Sequence, residues 1–131
     1  MALFRKFRKE LVPLQDLYSE DELIHLGRHG TIVDLPPGQT LFEEGTLGTE
    51  AAVIVSGTAK VSHRGKTIAI LEGGSLLGEG ALLSGEERNA SVSSVTLLKI
   101  AVLGKTEMVK ILAACPHFRE RVTSAMDARA A

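Results

Sequence analysis

Between Gly78 and Val92 the sequence runs G-E-G-A-L-L-S-G-E-E-R-N-A-S-V, placing a carboxylate, a run of small residues and an arginine in one short span. A glycine lets backbone approach a ligand closely, and a new helical turn offers N–H groups to an anion. Gly80 to Leu83 has the length of one such turn, and Arg88 stands five residues beyond it. A guanidinium forks onto phosphate oxygens, whereas a carboxylate accepts bonds from sugar hydroxyls. Glu79 with Arg88 therefore suits a ligand that carries both ribose and phosphate.

Such a span needs a scaffold, and the chain has room for one. Its 131 residues make one domain, with 44% hydrophobic and 24% charged residues, as in ordinary globular proteins. A net charge of −1 gives no global attraction to nucleic acid or anionic membrane. No apolar run approaches the roughly 18 residues of a membrane span. The basic N-terminus has no apolar stretch of the secretory kind after it. One cysteine, Cys115, forms no internal disulfide, so a cytoplasmic protein is expected.

Residues 1–11 carry Arg5, Lys6, Arg8 and Lys9, with Leu3, Phe4, Phe7 and Leu11 at helical spacing. This basic segment reads as a first helix with its apolar face on the domain. Ser19-Glu20-Asp21-Glu22 reads as an N-cap with acids in the first turn, opening a helix that stops at Gly27 or Gly30. From Thr31 the period changes. Thr31–Leu35, Thr40–Phe42, Glu50–Val55, Thr58–His63, Lys66–Leu71, Asn89–Ser93 and Val95–Ala101 read as short strands punctuated by proline and glycine turns. Arg64-Gly65 marks a tight hairpin. Lys105–Ala114 and His117–Ala130 return to helical periodicity around Pro116, the second with Phe118, Val122 and Met126 on one stripe. The expected fold is mainly β: an antiparallel β-barrel or double-stranded β-helix jelly roll of about eight strands, with an N-terminal helix and two C-terminal helices. The expected divisions are 1–11, 12–115 and 116–131.

In this order, the residues resemble the cyclic nucleotide-binding domain family over about residues 12 to 115. Leu35-Pro36-Pro37-Gly38-Gln39-Thr40-Leu41-Phe42-Glu43-Glu44-Gly45 is similar to the family's early turn and strand. Gly48 and Val53-Ile54-Val55-Ser56-Gly57 are similar to its next strand and turn. Leu71, Gly74, Leu76, Leu77, Gly78 and Glu79 resemble the approach to its phosphate-binding cassette, and Ala81-Leu82-Leu83, Arg88 and Ala90 complete it. The resemblance implies that Arg88 holds the cyclic phosphate, Glu79 accepts the ribose 2′-hydroxyl, and backbone N–H groups of Gly80, Ala81 and Leu82 complete the phosphate site. The helix from His117 would lie over the base. The implied ligand-binding set is Gly78, Glu79, Gly80, Ala81, Leu82, Arg88, Asn89 and Ala90.

Two positions depart from the family's pattern. Gly80 stands where a bulkier apolar residue is usual. Asn89 replaces the Thr associated with guanine ligands and the Ser or Ala associated with adenine, so the base stays open between cyclic AMP and cyclic GMP, with cyclic AMP preferred. Glu79, Glu86 and Glu87 crowd a site meant for an anion, so either helix-end N–H groups compensate or Glu86 and Glu87 point to water.

Other chemistry finds less support. His25 and His29 have the four-residue spacing of metal ligands, but no third ligand is near them in sequence, so no metal is expected. His63 and His117 stand apart, and no serine or cysteine has a base beside it, so no enzyme is expected. The expected function is a stand-alone cyclic nucleotide sensor that moves its C-terminal helices on a partner. The alternative is a ligand-free interaction or dimerisation module using Phe118, Val122 and Met126 as its contact face. A DNA-binding regulator fits less well, because no helix-turn-helix unit follows the strands.

Overall fold

The computed structural model describes residues 10 to 130; the basic segment at residues 1 to 9, with Leu3, Phe4 and Phe7, lies outside the described residues. After a 3-10 turn at Val12–Leu14 come α1 (Glu20–His29), β1 (Thr31–Leu35), β2 (Thr40–Phe42), β3 (Glu50–Ser56), β4 (Ala59–His63), β5 (Lys66–Leu71) and β6 (Leu76–Leu77). They are followed by α2 (Glu79–Ser84), β7 (Ser91–Ser94), β8 (Leu98–Gly104), α3 (Lys105–Ala114) and α4 (Pro116–Ala130).

The helix start read at Ser19 is a full capping box. Ser19 Oγ accepts the Glu22 N–H at 3.1 Å, and Glu22 Oε1 accepts the Ser19 N–H at 2.8 Å. Gly30, not Gly27, closes α1, by donating its N–H to the Leu26 carbonyl. The β4–β5 hairpin turns on Arg64 and Gly65, both at positive φ (51° and 80°), the backbone of a two-residue hairpin loop.

The strands form two four-stranded antiparallel sheets, ordered β1-β8-β3-β6 and β2-β7-β4-β5. The chain passes between the sheets several times, as in a jelly roll. Of the two forms expected, barrel or jelly roll, the jelly roll is the one present: the two sheets keep separate hydrogen-bonded ladders and do not close into a barrel.

The first sheet is the middle layer, and β3 shows why. Ala51 to Val55 are all buried, although a strand alternates its faces. Ala52 and Ile54 join Leu98, Ile100, Leu77, Phe42, Ala59 and Val92 between the sheets. Ala51, Val53 and Val55 join a second cluster with Leu26, Met108, Ile111, Phe118 and Val122 from the helices. A strand covered on both sides reads as a continuous apolar run.

The strand bounds depart most from the sequence reading at β7 and β8, each of which starts later than expected. Val95 and Leu97, β-prone residues, are exposed in a turn between the sheets, and β8 begins only at Leu98. Asn89 and Ala90 remain in the loop before β7. The stripe of α4 is also used differently from one alternative. Phe118 and Val122 are buried in this chain's own core, so they are not an exposed contact face. Leu11 is buried in the same cluster, which therefore takes residues from all three sequence divisions.

Candidate ligand site

The crossover from β6 in one sheet to β7 in the other carries α2 and the loop to Arg88. It opens a cavity of about 320 Å3 between the sheets, within the usual range for small-molecule sites. Leu77 comes from one sheet and Phe42, Val61 and Val92 from the other; Met126 reaches the cavity from α4. Gly78, Glu79, Gly80, Ala81, Arg88, Asn89 and Ala90, named from the sequence, all line it. Leu82 does not: it is buried in the helical cluster. Its N–H donates to the Gly78 carbonyl at 3.2 Å, which makes it a poor anion donor. The amides of Gly80 and Ala81, in the first turn of α2, have no intrahelical acceptor.

Arg88 is the chemical centre. Only 7% of it is exposed, yet it lines the cavity. Burial pulls its guanidinium below the ordinary arginine value, while the fields of Glu50 and Glu79 push it back up. It remains a cation at neutral pH. Nη2 donates to the Glu50 carbonyl at 2.6 Å, and the guanidinium carbon lies 3.6 Å from the centroid of the Phe42 ring. A cation over an aromatic face is stabilised by the ring's quadrupole, more so when desolvated. Phe42 was not among the sequence candidates, because nothing in a β2 aromatic announces that a distant arginine will lie on it.

Glu79, at the start of α2, is 1% exposed. Glu86 and Glu87 are exposed, yet both also line the cavity, so they are not turned wholly to water. Solvent at the rim screens part of their repulsion of an anion. Asn89 is exposed too, and its carbonyl accepts a 2.8 Å bond from His63 Nδ1, which ties the loop to the end of β4. Gly78 has φ +74°, and a Cβ there would lie 2.6 Å from Arg88 Nη1 and 2.7 Å from the Phe42 ring. At Gly80, by contrast, a Cβ would meet nothing within 4 Å, so there is room for a larger residue.

A cavity between jelly-roll sheets, with a buried cation and a buried carboxylate on its wall, defines a small-ligand-binding domain of the anion-accepting kind. A model of the family described as cyclic nucleotide-binding domain matches residues 32–115. The chain belongs to that family. It is 34% identical over 113 residues to a cAMP-dependent protein kinase regulatory subunit of Yarrowia lipolytica, covering 85% of this chain and 30% of that protein. It is 31% identical over 98 residues to a cGMP-dependent protein kinase of Toxoplasma gondii, covering 73% of this chain and 10% of that one. The chain thus spans under a third of the length of these relatives. The catabolite activator protein of Thermus thermophilus has the same fold, with a TM-score of 0.75 at 24% identity over 89% of this chain and 57% of that one. No helix among the described residues is long and apolar enough to cross a membrane.

Proposed function

We propose that this chain is a cyclic nucleotide sensor that reports occupancy through its C-terminal helix. Arg88 carries the reading: a buried cation lining a ligand-sized cavity, beside a buried carboxylate. Arg88 and the amides of Gly80 and Ala81 take the cyclic phosphate, Glu79 takes the ribose hydroxyl, and the base lies toward Val61, Val92 and Met126. Cyclic AMP is the first candidate, after the regulatory subunit with which the chain shares 34% identity over most of its length. Met126 belongs to the helix that also inserts Phe118 into the core, so a base pressing on Met126 acts on α4 directly. Any partner reads that helix by a face other than the buried one. On this reading the module's role is to bind and signal rather than to catalyse a reaction.

Calorimetric titration with cyclic AMP and cyclic GMP, with 5′-AMP as control, tests the reading. Saturable binding of a cyclic nucleotide is expected, weakened by about 1.5–3 kcal/mol in Arg88→Ala, roughly ten- to a hundredfold in Kd. Equal binding by wild type and variant would sink the assignment of the phosphate to Arg88.

A further inference from the structure

On the far side of the helical layer, α1 meets the junction of α3 and α4. The sequence supplied His25 and His29 without a third ligand; the fold leaves His29 out and instead brings Cys115 beside Asp21 and His25, across 94 positions of sequence. Asp21, His25 and Cys115 present ligand atoms that all lie within 4.8 Å of one another. Asp21 Oδ2 is 3.5 Å from Cys115 Sγ, and Oδ1 is 3.7 Å from His25 Nδ1. The first spacing is a hydrogen bond from the Cys115 thiol to the carboxylate, and a sulfur and an oxygen bound tetrahedrally to one zinc ion stand about as far apart, so an ion takes the place of the thiol proton with little movement.

We propose that Asp21, His25 and Cys115 bind a divalent ion of the zinc class. A thiolate, an imidazole and a carboxylate are the donors such borderline-soft ions select, whereas calcium and magnesium favour oxygen alone. The Asp21 side chain is 64% exposed, which leaves solvent access for a fourth, water ligand. Cys115 is buried, so the ion is half sheltered. The partial positive charge of the α1 N-terminus opposes a cation, and Glu20 and Asp21 in that first turn offset it. Glu22 is not a ligand, because Arg121 holds both of its oxygens. His25 Nδ1 lies 2.8 Å from the Asp21 carbonyl, where it can only donate. Ligation through Nε2 keeps that bond, as metal-bound histidines commonly do, and ligation through Nδ1 replaces it. The Cys115 thiol, pushed up to about 11 first by burial and then by Asp21, passes its proton to solvent as the metal binds. The bound ion clamps the start of α4 to α1, at the opposite end of the helix from Met126.

The single cysteine makes the test direct, because any thiolate-to-metal absorption must come from Cys115. Tag-free, chelator-treated protein is titrated with Co2+ and then with Zn2+. One equivalent of Co2+ should bind with a sulfur-to-cobalt charge-transfer band, which Zn2+ then removes. Cys115→Ser should abolish the band, and Cys115→Ser, Asp21→Asn and His25→Gln should each weaken Zn2+ by at least about tenfold. His117→Gln, two residues along from Cys115 but exposed and outside the cluster, should bind as wild type. Co2+ bound without a sulfur band, or Zn2+ affinity unchanged in the variants, overturns the proposal. Should Cys115→Ser fail to fold by circular dichroism, the band in wild type and the two α1 variants decide, since Asp21 and His25 reach solvent.

Discussion

A methyl group at position 78 would strike Arg88 Nη1, the Phe42 ring and the Glu50 carbonyl together, whereas one at position 80 would strike nothing. These two glycines of one cassette therefore act differently. Gly78→Ala also forces a left-handed backbone, a strain of about 1–2 kcal/mol, and must move the guanidinium off its ring. Cyclic nucleotide affinity should fall by about tenfold or more, with a lowered melting temperature. Gly80→Ala should keep affinity and hold or raise stability, by up to about 1 kcal/mol from helix propensity. Calorimetry and thermal melts of both variants decide, and a similar loss in the two would refute the contrast. At this scale the local motif was readable: Gly78, Glu79 and Arg88 announced themselves by type and spacing. Phe42, Val61 and Val92 did not, because strand residues that face a cavity look like strand residues that face a core.

Helix α4 is held by more than its apolar stripe. Arg121 donates from Nε to Glu22 Oε2 at 2.7 Å and from Nη2 to Glu22 Oε1 at 3.1 Å, and it bonds the Leu17 carbonyl as well. Its guanidinium lies 4.0 Å from the centroid of the Tyr18 ring, and the Tyr18 hydroxyl donates to the Gly74 carbonyl at 2.6 Å. The chain of contacts thus runs from α4 through the α1 cap to the loop before β6. Burial raises the Glu22 pKa, but the Arg121 and Ser19 bonds lower it further, so the net shift is downward. A carboxyl that is more acidic in the folded state is protonated first in the unfolded chain as pH falls. Its stabilisation is full above the unfolded value, about 4.3, and is lost as pH drops through the lower folded value. Acid titration of the melting temperature should show this loss in wild type and a shallower one in Arg121→Leu. The same variant at neutral pH should lose about 1–3 kcal/mol, less than a fully buried pair because Arg121 is partly exposed. Identical acid limbs would remove Glu22 from the explanation. Nothing in the sequence joined Glu22 to Arg121, since the pair spans 99 positions and periodicity reports only neighbours.

Across the whole molecule, the strand count and the flanking helices were legible because proline and glycine turns cut the chain at regular intervals. The three-layer arrangement was legible only in β3, whose unbroken apolar run requires cover on both faces. Which helices supply that cover was not, and this bears on where the domain ends. The family match stops at residue 115, and the last strand ends at Gly104. Packing continues further. Phe118 is fully buried against the helical face of the middle sheet, Val122 is 4% exposed, and both belong to the cluster of Leu14, Leu26, Met108 and Ile111. A chain cut after Cys115 would lose a buried phenyl ring, worth roughly 3–5 kcal/mol, together with Val122 and the Arg121 bonds to Glu22. Against a typical total of about 5–15 kcal/mol, that loss leaves little or no folded protein. The truncated chain should melt without a cooperative transition, or many degrees below wild type. Phe118→Ala in the full chain should fall between them and still bind cyclic nucleotide, since Met126 and Arg88 remain. A truncated chain that melts like wild type would make α4 an appendage, and sensing would then have to work without it.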